Sequence, residues 1–462
     1  MLKFTDIKQV YFLGIGGIGM SALARYFSSQ GIPVSGYDRT PTELTLALEH
    51  EGINVHYEDN PLLLPAGLEI SNSLIVYTPA VPATHQELNT LLNSGFSIHK
   101  RAEVLAIICN NRRTIAVAGT HGKTSVSTMT AHILKSSEVG CSAFMGGISK
   151  NYQTNLLLDS TGSDWIVAEA DEFDRSFLQL RPELAVITSM DADHLDIYGS
   201  HEKVIESFQI FASQIKDGGS LVLKKGLPVG FMPEAKYKSY TYSITETADF
   251  CAENIKLKDG YYQFDLRTPK LLIEKLVLNY PGLLNVENSV AASALALLAG
   301  VSAEDIRIAL ASYSGVKRRF DIQLNNGTFV LIDDYAHHPK ELRATIQSVR
   351  DLYCGRTITG IFQPHLFSRT KDFAEGFAKS LDLLDEVVLL DIYPARELPM
   401  AGVSSEIIFK LMRNKNKILC SKSELTKLAG TLKPGVVIMM GAGDIDTLVE
   451  PVKVQLLKYA NL

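Results

Sequence analysis

The chain has little of what marks a secreted, membrane-bound or nucleic-acid-binding protein. Its 462 residues hold five cysteines, Cys109, Cys141, Cys251, Cys354 and Cys420, scattered and without a C-x-x-C pair. That spacing argues against a disulfide framework or a zinc ribbon and suits reduced thiols in a cytosol. No uninterrupted apolar run reaches the ~18 residues of a membrane-spanning helix. Gly14, Gly16, Gly17 and Gly19 break up the first apolar stretch. The opening residues, Met1-Leu2-Lys3-Phe4-Thr5-Asp6, lack the basic region and long apolar run of a signal peptide. An excess of positive charge is missing too: the net charge of −6 gives no reason to expect nucleic acid or an anionic membrane as partner. Repeats and low-complexity segments are absent. The expectation is a cytoplasmic protein, monomer or homodimer, acting on small molecules.

What is present is ordinary for a globular enzyme, with 46% hydrophobic and 21% charged residues. The length suggests roughly three domains of ~150 residues. The central feature is Ala116-Val117-Ala118-Gly119-Thr120-His121-Gly122-Lys123-Thr124-Ser125. A β-branched run breaks at Gly119, and residues 125–134 can continue as a helix. A strand, a Gly loop and a helix N-terminus make an anion site, because backbone N–H groups and the positive end of the helix dipole converge there. Lys123 adds a charge for a β/γ-phosphate, and Thr124 places a hydroxyl where Mg²⁺ would sit. The usual loop is G-x-x-x-x-G-K-[ST], and Val117 stands where its first Gly belongs.

Upstream, residues 10–13 read as a buried strand running into Gly14-Ile15-Gly16-Gly17-Ile18-Gly19 and a helix. A second strand ends in Asp38. Taken literally, this is a dinucleotide fingerprint with Asp38 on the ribose. More generally, the glycines allow some phosphate to approach a helix N-terminus; tight strand–helix packing alone is the other reading. Residues 1–107 form the first expected domain.

The second, 108–315, starts with the phosphate loop. Two further strands run into Glu169-Ala170-Asp171-Glu172 and Asp191-Ala192-Asp193-His194-Leu195-Asp196. In a parallel sheet these ends share an edge with the loop, where carboxylates and a neutral imidazole can ligate Mg²⁺; helix capping is the plainer role for Asp191 or Asp196. Residues 220–278 suggest a small antiparallel addition to the main sheet. Asn285 and Asn288 lead into an Ala-rich helix at 290–298, as caps or as amides for a nucleotide.

The third domain, 316–462, opens with Arg318-Arg319-Phe320-Asp321. A clean strand at 329–332 ends in Asp333-Asp334-Tyr335-Ala336-His337-His338-Pro339, with Pro339 suited to the first position of a helix. Strands at 357–362, 387–390 and 436–440 also end in polar or Gly-rich turns, which makes a second doubly wound domain. The fold class is therefore α/β: a Rossmann-like N-terminal domain, a P-loop ATPase-type centre and a Rossmann-like C-terminal domain.

These motifs, in this order, resemble the ATP-dependent Mur ligases, and within them the branch joining L-alanine to UDP-N-acetylmuramate. The resemblance runs end to end. It covers the Gly14–Gly19 turn, Ala118-Gly119-Thr120-His121-Gly122-Lys123-Thr124, Glu169-Ala170-Asp171-Glu172 and Asp193-His194-Leu195-Asp196. Beyond these it takes in Asn285 with Asn288, Arg318-Arg319-Phe320-Asp321, the 333–339 turn and Gln363-Pro364-His365. The family's form of the phosphate loop accounts for Val117.

The resemblance implies that Gly119, Thr120, His121, Gly122, Lys123, Thr124 and Ser125 hold ATP, with Asn285, Asn288, Arg319 and Asp334 reaching it from across a cleft. Thr124 and Glu169 would hold one Mg²⁺ and His194 a second. Gly14, Gly16, Gly17 and Gly19 would hold the diphosphate of UDP-N-acetylmuramate, not NAD. Lys123, Arg319, Asp334 and His337 are the catalytic candidates, with His337 the base for the amine and Asp334 its orienting partner. His337 and Arg369 would place L-alanine, Arg369 through its carboxylate. Many alanine ligases carry Arg where Leu366 stands, and Ser is common at the position of Phe173. Residues 204–215 contain no Lys for the carbamylation seen in other branches. A ligase attaching a recycled tripeptide to the same sugar nucleotide is the alternative. An NAD-dependent oxidoreductase or a non-catalytic sugar-nucleotide-binding protein are the readings from other classes.

Overall fold

The computed structural model describes residues 6–191, 195–228, 236–258, 260–395 and 397–459. Three sheet-containing regions follow one another along the chain. They fall into two compact units: Met1–Asn254 with Phe264–Leu276 and Glu287–Tyr313, and Ile255–Gln263 with Val277–Val286 and Ser314–Leu462.

In the first unit, a five-stranded sheet has the order Asn54–His56, Val34–Tyr37, Gln9–Leu13, Ser73–Tyr77, Ile98–Lys100. Every pairing in it is parallel. The strand Gln9–Leu13 is central, and Val10, Tyr11, Phe12 and Leu13 are all buried, as expected of a strand covered on both faces. Helix Ile18–Ser29 packs back against it with Leu23, Ala24 and Phe27 inward. The glycine turn thus sits at the strand's C-terminal end, where doubly wound sheets bind ligands.

The larger sheet is built around Arg113–Ala118, paired in parallel with Leu184–Ile187 on one side and Trp165–Ala170 on the other. Ser142–Ser149 joins beyond Trp165–Ala170, also in parallel, and Thr154–Leu157 closes that edge as an antiparallel strand. Ile115, Ala116, Val117 and Ala118 are fully buried. Helix Lys123–Lys135 follows the loop and is buried along almost its whole length. The antiparallel addition expected over 220–278 is corrected at its start. Ser220–Lys224 and Lys238–Ser243 pair in parallel, and Tyr242 and Ser243 pair in parallel with Phe250 and Cys251. The connection from 225 to 237 is too long for a hairpin turn, which leaves the chain free to cross back and re-enter in the same direction.

The second unit holds a six-stranded sheet in the order Asp321–Asn325, Phe329–Asp334, Gly435–Met440, Ile358–Phe362, Glu386–Leu390, Lys417–Cys420. Only the first pair is antiparallel; the rest are parallel. Phe329, Leu331, Ile361, Leu390, Met439 and Leu456 contribute to its core. The edge strand Lys417–Cys420 went unread in the sequence because Ile418 and Leu419 are exposed and flanked by polar residues. No helix among the described residues is long and apolar enough to cross a membrane.

Candidate active site

The phosphate loop is fastened to the strand beside it. Gly119 and Gly122 have φ of 136° and 82°, backbone that favours glycine. A Cβ at Gly119 would collide with Thr188 Oγ1. Thr188 donates that hydroxyl to the carbonyls of His121 at 2.5 Å and Ala118 at 3.1 Å. His121 N donates to Ser189 Oγ at 2.7 Å, and Thr120 N to Ser189 O at 3.2 Å. Asp191 donates its N–H to Thr120 Oγ1 at 3.0 Å, and its carboxylate lies 3.3 Å from His121 Nε2. Thr188, Ser189 and Asp191 therefore fix the loop to the neighbouring strand end, a role their position at the end of that strand did not reveal. Asn288 stands close by, its Oδ1 3.1 Å from where a Cβ on Gly122 would lie.

Lys123 Nζ donates to Gly119 O at 2.9 Å and to Glu172 at 2.6 Å. Burial works against its charge, but Glu172, backed by Asp171 and Glu169, outweighs burial and holds the ammonium above its usual range. Glu172 is itself buried, and Tyr198 donates to its carbonyl at 2.6 Å. Sequence reading placed Glu172 in a motif without giving it a partner. Its signal was a second acid three residues beyond Glu169, at the same strand edge as the loop.

Glu169 is the last residue but one of the strand Trp165–Ala170, and Gly146 lies beside it. Any side chain at Gly146 would strike the Glu169 carboxyl group, so Gly146 makes the cradle in which this carboxylate sits. Thr124 is buried in the first turn of the loop helix, and Ser125 follows it there. A hydroxyl and a carboxylate are hard oxygen ligands of the kind Mg²⁺ takes together with phosphate oxygens and water, so the residues present fit that ion. His194 lies outside the described residues. Among those described, no group of three or more His, Cys, Asp or Glu could hold a metal on its own.

At the glycine turn, Gly14 has φ of 86°. Gly16 N donates to Asp38 Oδ2 at 2.7 Å, and Arg39 N to Asp38 Oδ1 at 2.7 Å. Asp38, read literally as a ribose ligand, thus braces the turn itself. Gly17 is the N-cap of Ile18–Ser29, and Gly19 lies in its first turn.

In the second unit, Asp334 ends the strand Phe329–Asp334. Its carboxylate accepts from Phe320 N at 2.7 Å, Ala336 N at 2.9 Å and Thr345 Oγ1 at 3.2 Å. The expectation that Asp334 orients His337 is corrected. His337 Nδ1 lies 2.9 Å from Tyr335 O and 3.4 Å from Glu341, because the Asp334 carboxylate is taken by the N–H groups of Phe320 and Ala336. Burial lowers the His337 pKa; Arg369 and Arg319 push the same way, while Glu341 and the Tyr335 carbonyl oppose them. His365 lies beside it, ring centroids 6.2 Å apart, and stacks on Tyr393 at 5.8 Å. Burial, with His337 and Arg369, pushes His365 down to about 4. Arg369 is buried in the short helix Phe367–Asp372, whose start Glu397 caps through Ser368 N at 3.0 Å and the Ser368 hydroxyl. Arg319 lies over the Tyr335 ring at 4.8 Å. Asn285, in the first turn of Leu283–Ala299, donates to Pro281 O at 2.6 Å. That helix begins earlier than the 290–298 read from sequence, so both asparagines are helical.

His337, His365 and Arg369 are thus gathered in the second unit, and the glycine loop with Lys123 lies in the first. Against families of known proteins, residues 9–113 match the Mur ligase family catalytic domain. Residues 117–296 match the Mur ligase middle domain, and 318–443 the Mur ligase glutamate ligase domain. The chain belongs to the Mur ligase family. A UDP-N-acetylmuramate–L-alanine ligase of Parabacteroides distasonis is 54% identical over 453 residues, 98% of each chain. One of Porphyromonas gingivalis is 54% identical over 450 residues, 97% of this chain and 98% of its own. The crystal structure of UDP-N-acetylmuramate–alanine ligase from Thermotoga maritima superimposes with a TM-score of 0.82 at 26% identity, covering 98% and 99%. A murein peptide ligase from Psychrobacter arcticus shares the fold with a TM-score of 0.72 at 22% identity, covering 97% and 98%. This Mur ligase is thus of one fold with enzymes that differ in the group they attach.

Proposed function

We propose that this Mur ligase is an ATP-dependent carboxylate–amine ligase that joins L-alanine to the lactyl carboxylate of UDP-N-acetylmuramate, a cytoplasmic step of peptidoglycan precursor synthesis. The observation that carries the reading is near-full-length identity of 54% with alanine-adding ligases. The chemical types of Lys123, the loop glycines, His337, His365 and Arg369 support it. The tripeptide-adding alternative has support only at the level of fold, from a structure 22% identical.

A carboxylate is a poor acyl donor, so it is first activated. The lactyl carboxylate oxygen attacks the γ-phosphorus of ATP, the bond to ADP breaks, and an acyl phosphate forms. Phosphoryl transfer of this kind depends on positioning and charge more than on covalent help. Lys123 is held charged and aimed at the loop, and Gly119, Thr120, His121, Gly122 and Ser125 form the rest of the loop assigned to ATP. Thr124 and Glu169 would hold one Mg²⁺ and His194 a second, and the metal when bound would neutralise charge on the phosphates. The L-alanine amine then attacks the acyl carbon and inorganic phosphate leaves. The amine's proton goes to His337, kept neutral at pH 7 by burial and by Arg369 and Arg319. Arg369 takes the amino acid's carboxylate, and Asn285, Asn288, Arg319 and Asp334 serve the ATP side.

We assign the sugar nucleotide to Gly14, Gly16, Gly17 and Gly19, and three functional regions to 1–107, 108–315 and 316–462. Phosphate release from ATP tests the reading. It should require both UDP-N-acetylmuramate and L-alanine, and release with the tripeptide in place of L-alanine would favour the alternative.

A further inference from the structure

Between the glycine turn and the phosphate loop lies a helix, Arg101–Asn110, that neither binding assignment uses. It packs against Ile18–Ser29 on one side and the 3-10 turn Phe173–Gln179 on the other. Arg101, its first residue, lies against Gly19: a Cβ there would come within 2.8 Å of both Arg101 Cδ and Nη1. Glycine at 19 therefore makes room for a guanidinium beside the turn. The same guanidinium lies 3.8 Å from the Asp171 carboxylate. At the far end of the helix, Asn110 donates to Gln179 O at 2.9 Å and accepts from Arg181 N at 2.7 Å. The helix meets the segment 171–181 at both ends, firmly at Asn110 and loosely at Arg101, and that segment carries Glu172, the partner of Lys123.

We propose that Arg101 is a positioning residue coupling the two nucleotide sites, so that a diphosphate on the glycine turn and a triphosphate on the phosphate loop each strengthen the other's binding. The proposal rests on the assignment of the sugar nucleotide to the glycine turn. A guanidinium presents five donors in a fork, so one edge can serve a diphosphate while the other keeps Asp171. With its side chains 27% and 37% exposed, the Arg101–Asp171 pair is held loosely. An anion beside Gly19 immobilises Arg101, and through it Asp171 and the neighbouring Glu172, from which the triphosphate must take Lys123. The ordering is then done by whichever ligand binds first, and the second meets a smaller entropic cost. Linkage makes the effect reciprocal.

The test is calorimetric titration of the full chain with the β,γ-imido analogue of ATP and Mg²⁺, with and without saturating UDP-N-acetylmuramate. The wild type should bind the analogue about fivefold tighter or more when the sugar nucleotide is present. Arg101→Ala and, separately, Asp171→Asn should bring that ratio to about 1, and Arg101→Lys should restore part of it. A merely structural role would lower the melting temperature and leave the ratio alone. Both ligands binding the wild type without coupling, or a ratio unchanged in both variants, overturns the relay only. A wild type that binds no UDP-N-acetylmuramate overturns the functional reading, and the relay with it.

Discussion

Lys123 Nζ and a Glu172 carboxylate oxygen are 2.6 Å apart, with side chains only 13% and 1% exposed. The lysine we assign to a phosphate is already neutralised by a buried acid, so on that assignment seating a triphosphate would exchange one anion for another. The pair also explains how a desolvated ammonium is kept charged.

Replacing Lys123 by Ala should lower phosphate release by at least about a hundredfold, the scale on which loss of one transition-state donor is felt. Binding of UDP-N-acetylmuramate by calorimetry should persist. Glu172 would be left buried without its cation, at a cost of about 3–5 kcal/mol in stability. The double variant Lys123→Met with Glu172→Gln should melt higher than Lys123→Ala. Ligation at near wild-type rate by Lys123→Ala would contradict the assignment.

Gly146→Ala should act through Glu169. The new methyl group would strike that carboxylate, moving a group assigned to Mg²⁺. Assayed against Mg²⁺ at fixed ATP, the variant should need about tenfold more metal for half-maximal rate, the loss associated with a disturbed neighbour of a metal ligand. An unchanged Mg²⁺ dependence would remove Glu169 from the site.

Arg369→Ala should raise the KM for L-alanine about 10- to 100-fold, matching ~1.5–3 kcal/mol for a charged hydrogen bond. The KM for ATP should stay within about twofold. A comparable rise in both would mean that the short helix Phe367–Asp372 had collapsed and that Arg369 acts by packing.

The His365 imidazole should make the protein acid-sensitive. Its pKa falls from 6.5 to about 4 on folding, so between those values the unfolded chain binds more protons than the folded one. Stability from this group is present above pH 6.5 and is lost as pH falls toward 4. In His365→Asn the drop in Tm from pH 7 to pH 5 should be smaller than in the wild type. An identical drop would show that the imidazole is not shielded as the fold implies.

The residues assigned to the site could be picked out in the sequence because they lie at or just beyond strand ends. Lys123, Glu169, Asp334 and His337 each lie at or beyond the end of an apolar run that forms a buried strand, and loops at one sheet edge are where ligands gather. What was not legible depended on contacts between segments far apart in sequence. The Lys123–Glu172 pair joins residues 49 positions apart, and the closeness of Gly146 to Glu169 depends on how two sheet strands lie together. His337 took its orientation from Tyr335 O and Glu341 because Asp334 was drawn into its own turn. The parallel course of Lys238–Ser243 was likewise hidden, since periodicity reports a strand but not its direction.

The most direct test of the central claim is inorganic phosphate release from ATP and Mg²⁺ with UDP-N-acetylmuramate, screened against L-alanine, glycine, L-serine and the murein tripeptide. The account predicts one phosphate per molecule of UDP-N-acetylmuramoyl-L-alanine formed, with L-alanine the best acceptor and no turnover without the sugar nucleotide. Turnover with the tripeptide but not with L-alanine, or no phosphate release with any acceptor, would contradict it.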